Sequence, residues 1–317
     1  MLLTVEDVVL TYGETADERV RALDGASLGV GAGEALGVMG QTGSGKSTLL
    51  EVMGGLVRPD EGRVLLDGRD VARDAGARRE LSAALGMAFQ RPERQFFETT
   101  VEREMAFALG CRGVRGEHAR EASRRACEAT CLDFDAIAHR SPLALSGGQQ
   151  RLVALASVLA CEPSLLLLDE PTAGLDPRAR AACLGAVRAA REAGCAVVLV
   201  SHDADAVALT CSRLAVMDAG RVAAEGPVGA LLGDAARMRS LGLDGCRAAR
   251  CALALREAGL DVADGALDAQ GLAGRVERAL GERGARVASA DGAAGPGGAT
   301  AADGASAPDV AGGGGRA

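Results

Sequence analysis

The stretch Gly40-Gln41-Thr42-Gly43-Ser44-Gly45-Lys46-Ser47-Thr48 constrains this chain more than any other. It fits G-x-x-x-x-G-K-[ST], and its flanks supply the context that pattern needs. Ala35-Leu36-Gly37-Val38-Met39 reads as a buried strand before it, and Ser47–Met53 as the opening of a helix after it. Glycines let the loop wrap closely, so that backbone N–H groups point at a bound polyphosphate while the helix N-terminus adds partial positive charge. Lys46 can then reach the β- and γ-phosphates, and the Ser47 hydroxyl can ligate Mg²⁺. The plainer alternative is a glycine-rich strand-to-helix turn, which the downstream sequence has to outweigh.

Two further stretches bear on that choice. Leu165-Leu166-Leu167-Leu168-Asp169-Glu170-Pro171 reads as a central strand covered on both faces, with its acids at the C-terminal end, where open parallel α/β sheets place ligands. Asp169 suits the Mg²⁺ shell, and Glu170 is placed to polarise an attacking water. Two acids after a strand could also cap the next segment. In Leu145-Ser146-Gly147-Gly148-Gln149-Gln150-Arg151, a Ser-Gly-Gly turn opens an apolar helix (Leu152, Leu155, Ala156, Leu159), a second helix-start anion site. Lacking a lysine, this site suits another molecule's nucleotide; as a bare motif it is an ordinary N-cap.

Along the chain, strand-like runs at Thr4–Leu10, Ala26–Val30, Ala35–Met39, Arg63–Gly68, Leu85–Gln90, Ser164–Leu168, Ala196–Val200, Leu214–Met217 and Arg221–Ala224 alternate with helical segments. That alternation predicts an α/β fold, mostly a parallel sheet with crossover helices. Residues 91–160 break it with helices at Glu102–Leu109, His118–Thr130 and Gly148–Ala160, and read as an inserted helical subdomain of a cassette spanning 1–233. Residues 234–287, with short helices at Cys246–Ala258 and Leu272–Leu280, read as a helical appendage for docking or pairing. Residues 288–317, dominated by Ala, Gly, Ser and Asp, are expected to be a disordered tail.

Of the 317 residues, 48% are hydrophobic but only 2% aromatic, so the core must be built from Ala, Val and Leu. A formal net charge of −8 without a basic block argues against a nucleic-acid partner. No apolar run approaches the ~20 residues of a membrane span. Acids near the N-terminus do not fit a signal peptide, so a soluble cytosolic protein is expected. The nine cysteines form no C-x-x-C pair. Cys127 and Cys131 lack a histidine at ligand spacing and read better as reduced, small side chains. Tyr12, the single tyrosine, lies upstream of the phosphate loop, where it either stacks on a base or is a half-exposed loop residue.

Together these residues resemble the ATPase subunits of ABC transporters, from about Thr4 to Leu232. The resemblance implies a P-loop cassette with a mixed, mainly parallel core sheet, an antiparallel β subdomain and the helical insertion. Gln90 matches the family glutamine that senses Mg²⁺ and the transmembrane partner, and Leu145–Gln149 is the LSGGQ signature. His202 matches the switch histidine, and Ala173-Gly174-Leu175-Asp176 the D-loop. Tyr12 matches the base-stacking aromatic. Implied with them are ATP and Mg²⁺, and a head-to-tail pair in which each ATP lies between the phosphate loop of one cassette and Ser146–Gly148 of the other. In that pair His202 holds the γ-phosphate and Asp176 communicates across the interface.

A finer resemblance lies in Phe89-Gln90-Arg91-Pro92-Glu93-Arg94-Gln95-Phe96-Phe97-Glu98-Thr99-Thr100-Val101. It is similar to the FQxPExQxFxxTV segment of energy-coupling factor (ECF) transporter ATPases, the cobalt- and vitamin-uptake group, and is closer to the second of their two paired types. This implies a second ATPase subunit, homo- or heterodimeric, a T-type transmembrane subunit, a substrate-binding S-type membrane subunit, and a peripheral location on the cytoplasmic face of the cell membrane. Phe96 and Phe97 then form a docking edge, unless they pack inside the helical subdomain. Gln41, where the family often has Pro or His, and the polar loop at Gly13–Arg21 depart from the pattern. The alternatives are another ABC importer or exporter ATPase, a soluble ABC protein acting on nucleic acid or ribosomes, and a non-catalytic regulatory cassette. The intact Lys46, Asp169, Glu170 and His202 speak against the last.

Overall fold

The computed structural model describes residues 2–13 and 19–293. It opens with β1 (Leu3–Tyr12), β2 (Val20–Val30) and β3 (Ala35–Gly40), followed by α1 (Lys46–Met53), β4 (Glu61–Leu66), β5 (Arg69–Asp70), α2 (Ala75–Ala84) and β6 (Leu85–Ala88). Helices α3 (Val101–Cys111), α4 (Gly116–Ala129), α5 (Phe134–Ile137) and α6 (Gly147–Leu159) follow without a strand between them. Then come β7 (Leu165–Asp169), α7 (Pro177–Glu192), β8 (Ala196–Val200), α8 (Ala204–Thr210), β9 (Arg213–Asp218) and β10 (Arg221–Pro227). The chain closes with α9 (Val228–Leu232), α10 (Ala235–Ser240), α11 (Arg247–Glu257) and α12 (Ala269–Ala293).

The strands form two sheets, as expected for the α/β class: a four-stranded one ordered β2-β1-β4-β5 and a six-stranded one ordered β10-β9-β3-β8-β7-β6. The first is antiparallel; in the second every pair is parallel except β10 with β9. The leucine run explains why β7 is central. Leu166 and Leu168 sit in the core formed with α3–α8, whereas Leu165 and Leu167 sit in the core shared with α1 and the antiparallel sheet. Each fully buried leucine contributes roughly 1.5–3 kcal/mol. A single strand therefore ties both layers together.

The two sheets meet at the Asp218-Ala219-Gly220 turn. Gly220 accepts from the backbone N–H of Asp24 on β2 at 3.0 Å and donates its own N–H to the Ser44 carbonyl at 3.1 Å. Arg221, just beyond, donates two bonds to the Asp24 carboxylate. The phosphate loop is thus held from the antiparallel side as well as by its own strand.

Several elements differ from the sequence reading. Helices α2, α5, α8, α9 and α10 are additional to those expected, and β2 starts at Val20 rather than Ala26. Helix α12 continues to Ala293, past the expected start of the tail at 288. The rest of that expected tail, 294–317, lies outside the described residues, as do residues 14–18 of the polar loop. Phe97 is exposed, in edge contact with Phe107 (centroids 4.6 Å apart), but Phe96 turns inward against the helical core. The docking edge expected from both phenylalanines is therefore only half present on the surface.

Candidate functional site

Four adjacent parallel strands, β3, β8, β7 and β6, each release a site loop at their C-terminal ends. From β3 comes the phosphate loop, from β8 Ser201 and His202, from β7 Asp169 and Glu170, and from β6 Gln90. Register sets their heights: Val38 and Asp169 both pair with Val200, and Ala88 pairs with Leu168. Residues spread over more than a hundred positions are thus gathered at one edge of one sheet.

Backbone crowding explains the glycines of the phosphate loop. A Cβ on Gly40 would lie 2.3 Å from the Met217 carbonyl, and one on Gly45 (φ 95°) would lie 2.3 Å from the Ala22 carbonyl. Gln41, Thr42 and Gly43 are exposed, and Ser44 is buried. Lys46 folds over the loop, donating to the carbonyls of Gly40 (2.8 Å) and Gln41 (2.7 Å) and to Ser44 Oγ (3.4 Å). Burial lowers its ammonium pKa, against the opposing charges of Glu170 and Asp169. Ser47 and Thr48 open α1, and the Tyr12 hydroxyl reaches Glu51 Oε2 on the same helix at 3.3 Å.

Asp169 is sunk to 7% exposure, and burial pushes its carboxyl pKa up despite the Ser47 hydroxyl and Lys46 beside it. A buried carboxylate short of positive charge, next to a serine hydroxyl, is a donor set that fits a hard divalent cation. Glu170 is equally buried and adopts a left-handed backbone (φ 49°), a conformation that costs a side-chain-bearing residue about 1–2 kcal/mol. The surroundings hold it there. Its N–H donates to the Val200 carbonyl at 2.9 Å, and its Oε1 accepts from the His202 N–H at 2.8 Å. Its Oε2 lies 2.8 Å from His202 Nδ1 and accepts from Ser201 Oγ at 3.4 Å. Strained backbone conformations of this kind cluster at functional sites.

The signature segment is built as a helix start. Ser146 N-caps α6 in a capping box, accepting from the Gln149 N–H while the Gln149 side chain accepts from the Ser146 N–H. Ser146 and Gly147 are exposed, and a Cβ on Gly147 would meet open space, so the N-terminus faces outward beside Gly148. Asp176 N-caps α7 through the N–H groups of Arg178 and Ala179.

Sequence reasoning gave no role to Arg151. From α6 it donates to the carbonyl of Gln90 at 2.8 Å and to that of Ala173, linking the signature helix to the loops holding Gln90 and Asp176. Its acceptors are distant backbone carbonyls, so no local pattern announces it. Arg180 was missed in the same way: from α7 it donates two bonds to Asp203, the N-cap of α8 beside His202.

Residues 23–173 match the family model described as ABC transporter. Among curated relatives, an energy-coupling factor transporter ATP-binding protein EcfA2 from Symbiobacterium thermophilum is 45% identical over 245 residues, covering 76% of this chain and 84% of the relative. Another EcfA2, from Clostridium tetani, is 34% identical over 265 residues, covering 83% of this chain and 92% of its own. Among solved structures, the dimeric post-hydrolysis state of the cassette MJ0796 bound to ADP and Pi superposes with a TM-score of 0.66 at 28% identity, covering 71% of this chain and 98% of its own. CbiO1 from Clostridium perfringens, part of the ABC transporter complex cbiONQ, gives 0.64 at 28% identity, over 80% and 98%. With identity of 34–45% over 76–83% of the chain, beside a phosphate loop and an LSGGQ segment, the chain belongs to the energy-coupling factor transporter ATP-binding proteins, ATPases of the ABC family.

Proposed function

We propose that this ATPase powers uptake of a vitamin or transition-metal ion, working at the cytoplasmic face of the membrane as one of a pair of cassettes. Its further partners are a T-type transmembrane subunit and a small substrate-binding S-type membrane subunit. Residues 1–233 form the cassette, with its helical subdomain near 91–160, and 234–287 the appendage. Among the described residues no helix is long and apolar enough to cross a membrane. The observation that carries the reading is the gathering of the phosphate loop, Gln90, the Asp169–Glu170 pair and His202 at one sheet edge.

Each residue has a part in that reading. Gly40–Thr48 cradle the triphosphate with backbone N–H groups, and Lys46 meets the β- and γ-phosphates. Tyr12 stacks on the base. Ser47, Asp169 and Gln90 hold Mg²⁺, which when bound neutralises charge on the phosphate oxygens. Glu170 takes a proton from the attacking water, and His202, already bonded to Glu170, orients toward the γ-phosphate. Ser146–Gln149 serve the partner's nucleotide, and Asp176 lies at the interface between the two cassettes. Lys46→Ala should abolish ATP binding and turnover, measured by nucleotide binding and phosphate release; unchanged activity would refute the phosphate-loop assignment. Purification of the intact membrane assembly, with its subunits identified by mass spectrometry, tests the partners: a complex without a T-type subunit overturns the ECF assembly.

A further inference from the structure

The turn leading into α11 touches the nucleotide loops at two points. Gly242 (φ 70°) lies against the exposed side chain of Gln41 in the phosphate loop, where a Cβ on it would lie 2.2 Å from Gln41 Nε2. Further along, the Arg247 N–H donates to Asp205 Oδ1 at 2.9 Å and its Nε to Oδ2 at 2.5 Å. Asp205 lies in the first turn of α8, beside the N-cap Asp203 and His202. Its carboxylate therefore faces two helix starts, those of α8 and α11, where backbone dipoles favour it. The chain between these contacts is held as well: the Leu243 N–H donates to Met238 O at 2.9 Å, and the buried Cys246 thiol to the carbonyls of Leu232 (3.6 Å) and Ala266 (3.3 Å).

We propose that Gly242–Arg247 is a brace, built from the appendage of the same chain, that sets the phosphate loop and the switch-histidine loop at a fixed separation. Gly242 acts through Gln41 and Arg247 through Asp205; both are positioning residues, since their contacts are to the loops. Nucleotide loops that flank a reacting phosphate lose rate when misplaced by small distances, so a rigid tie between them bears directly on turnover. The appendage then has a role in the ATP site of its own chain, in addition to any contact with partners.

The inference rests on the ATP site proposed above, and Lys46→Ala separates the two: turnover surviving that change sinks the site itself, whatever the brace does. With the full chain, Arg247→Ala keeps the backbone bond to Asp205 and removes the guanidinium. If the brace acts, kcat should fall by about three- to fivefold while KM for ATP moves less than about twofold. The melting temperature should hardly change, since Arg247 is 77% exposed, and Arg247→Lys should recover part of the loss. Gly242→Ala should give the opposite split, a raised KM with a smaller change in kcat. Adding Gln41→Ala should remove the part of that increase that comes from the clash with the Gln41 amide, the left-handed backbone strain at 242 remaining. An Arg247→Ala chain with unchanged kcat, or Gly242→Ala and Gln41→Ala effects that simply add, would overturn the brace.

Discussion

On the proposed reading, Glu170 supplies the base from a strained backbone. Its left-handed backbone is tolerated because Val200, Ser201 and His202 bond both its backbone and its carboxylate. Glu170→Gln keeps the shape and an oxygen for the His202 N–H while removing the base. Turnover should fall by about 10²–10⁴ with ATP affinity retained, as read by single-turnover phosphate release and equilibrium nucleotide binding. Brisk turnover by that variant would move the base elsewhere. At this scale the sequence was readable wherever a role depends on neighbours in the chain. Lys46 follows its glycines, Asp169 and Glu170 end their leucine run, and Ser146 precedes its own helix. Arg151 and Gly242 were opaque because their partners, Gln90, Ala173 and Gln41, approach only once the chain is folded.

Among the elements, the join between the sheets is the place where ionisation bears on stability. Arg213, at the start of β9, donates to Glu34 Oε1 at 2.6 Å and Oε2 at 3.1 Å, to Glu225 and to the Gly29 carbonyl. Burial alone would raise the Glu34 pKa, but the guanidinium and the Gly31 N–H more than reverse it and hold it below its ordinary value. A depressed carboxylate pKa stabilises the fold above the unfolded value and loses that contribution as pH falls through the folded one. Arg213→Met should therefore cost about 1–2 kcal/mol near neutral pH, and thermal melts should show the gap to the parent closing as the pH is taken below the ordinary glutamate range. A gap that stays constant with pH would show that the loss is one of packing alone. Long periodic elements such as α4 and α6 were legible in the sequence, whereas α2, α8 and α10 were not. All three begin on an aspartate cap, Asp74, Asp203 or Asp234, so a start signal was present. What they lack is length or an apolar stripe: α8 and α10 span only seven and six residues, and α2 buries only Ala77 and Leu81.

For the whole molecule, the outward-facing start of α6 is the feature on which the proposed pairing with a second cassette rests. Its Ser146 cap is satisfied by Gln149, yet the exposed Ser146–Gly147 turn is directed away from its own fold, and α6 packs on α3, α4, α7 and β6. The cassette MJ0796, whose fold this chain shares, is a dimer in its ADP- and Pi-bound structure. A nucleotide held by the phosphate loop of one copy and capped by the exposed helix start of another would join the two, and would keep them joined until its γ-phosphate has been cleaved and released. Glu170→Gln, slow to hydrolyse, should therefore associate when ATP and Mg²⁺ are added, either with itself or with a related cassette supplied in the assay, and sedimentation velocity would read the change. Ser146→Arg in the same background should block association and leave ATP binding to the single chain intact, because the bulky side chain obstructs the helix start without touching Lys46. Association that survives Ser146→Arg would mean that the two copies meet through another surface, and that each site closes without the signature helix of its neighbour.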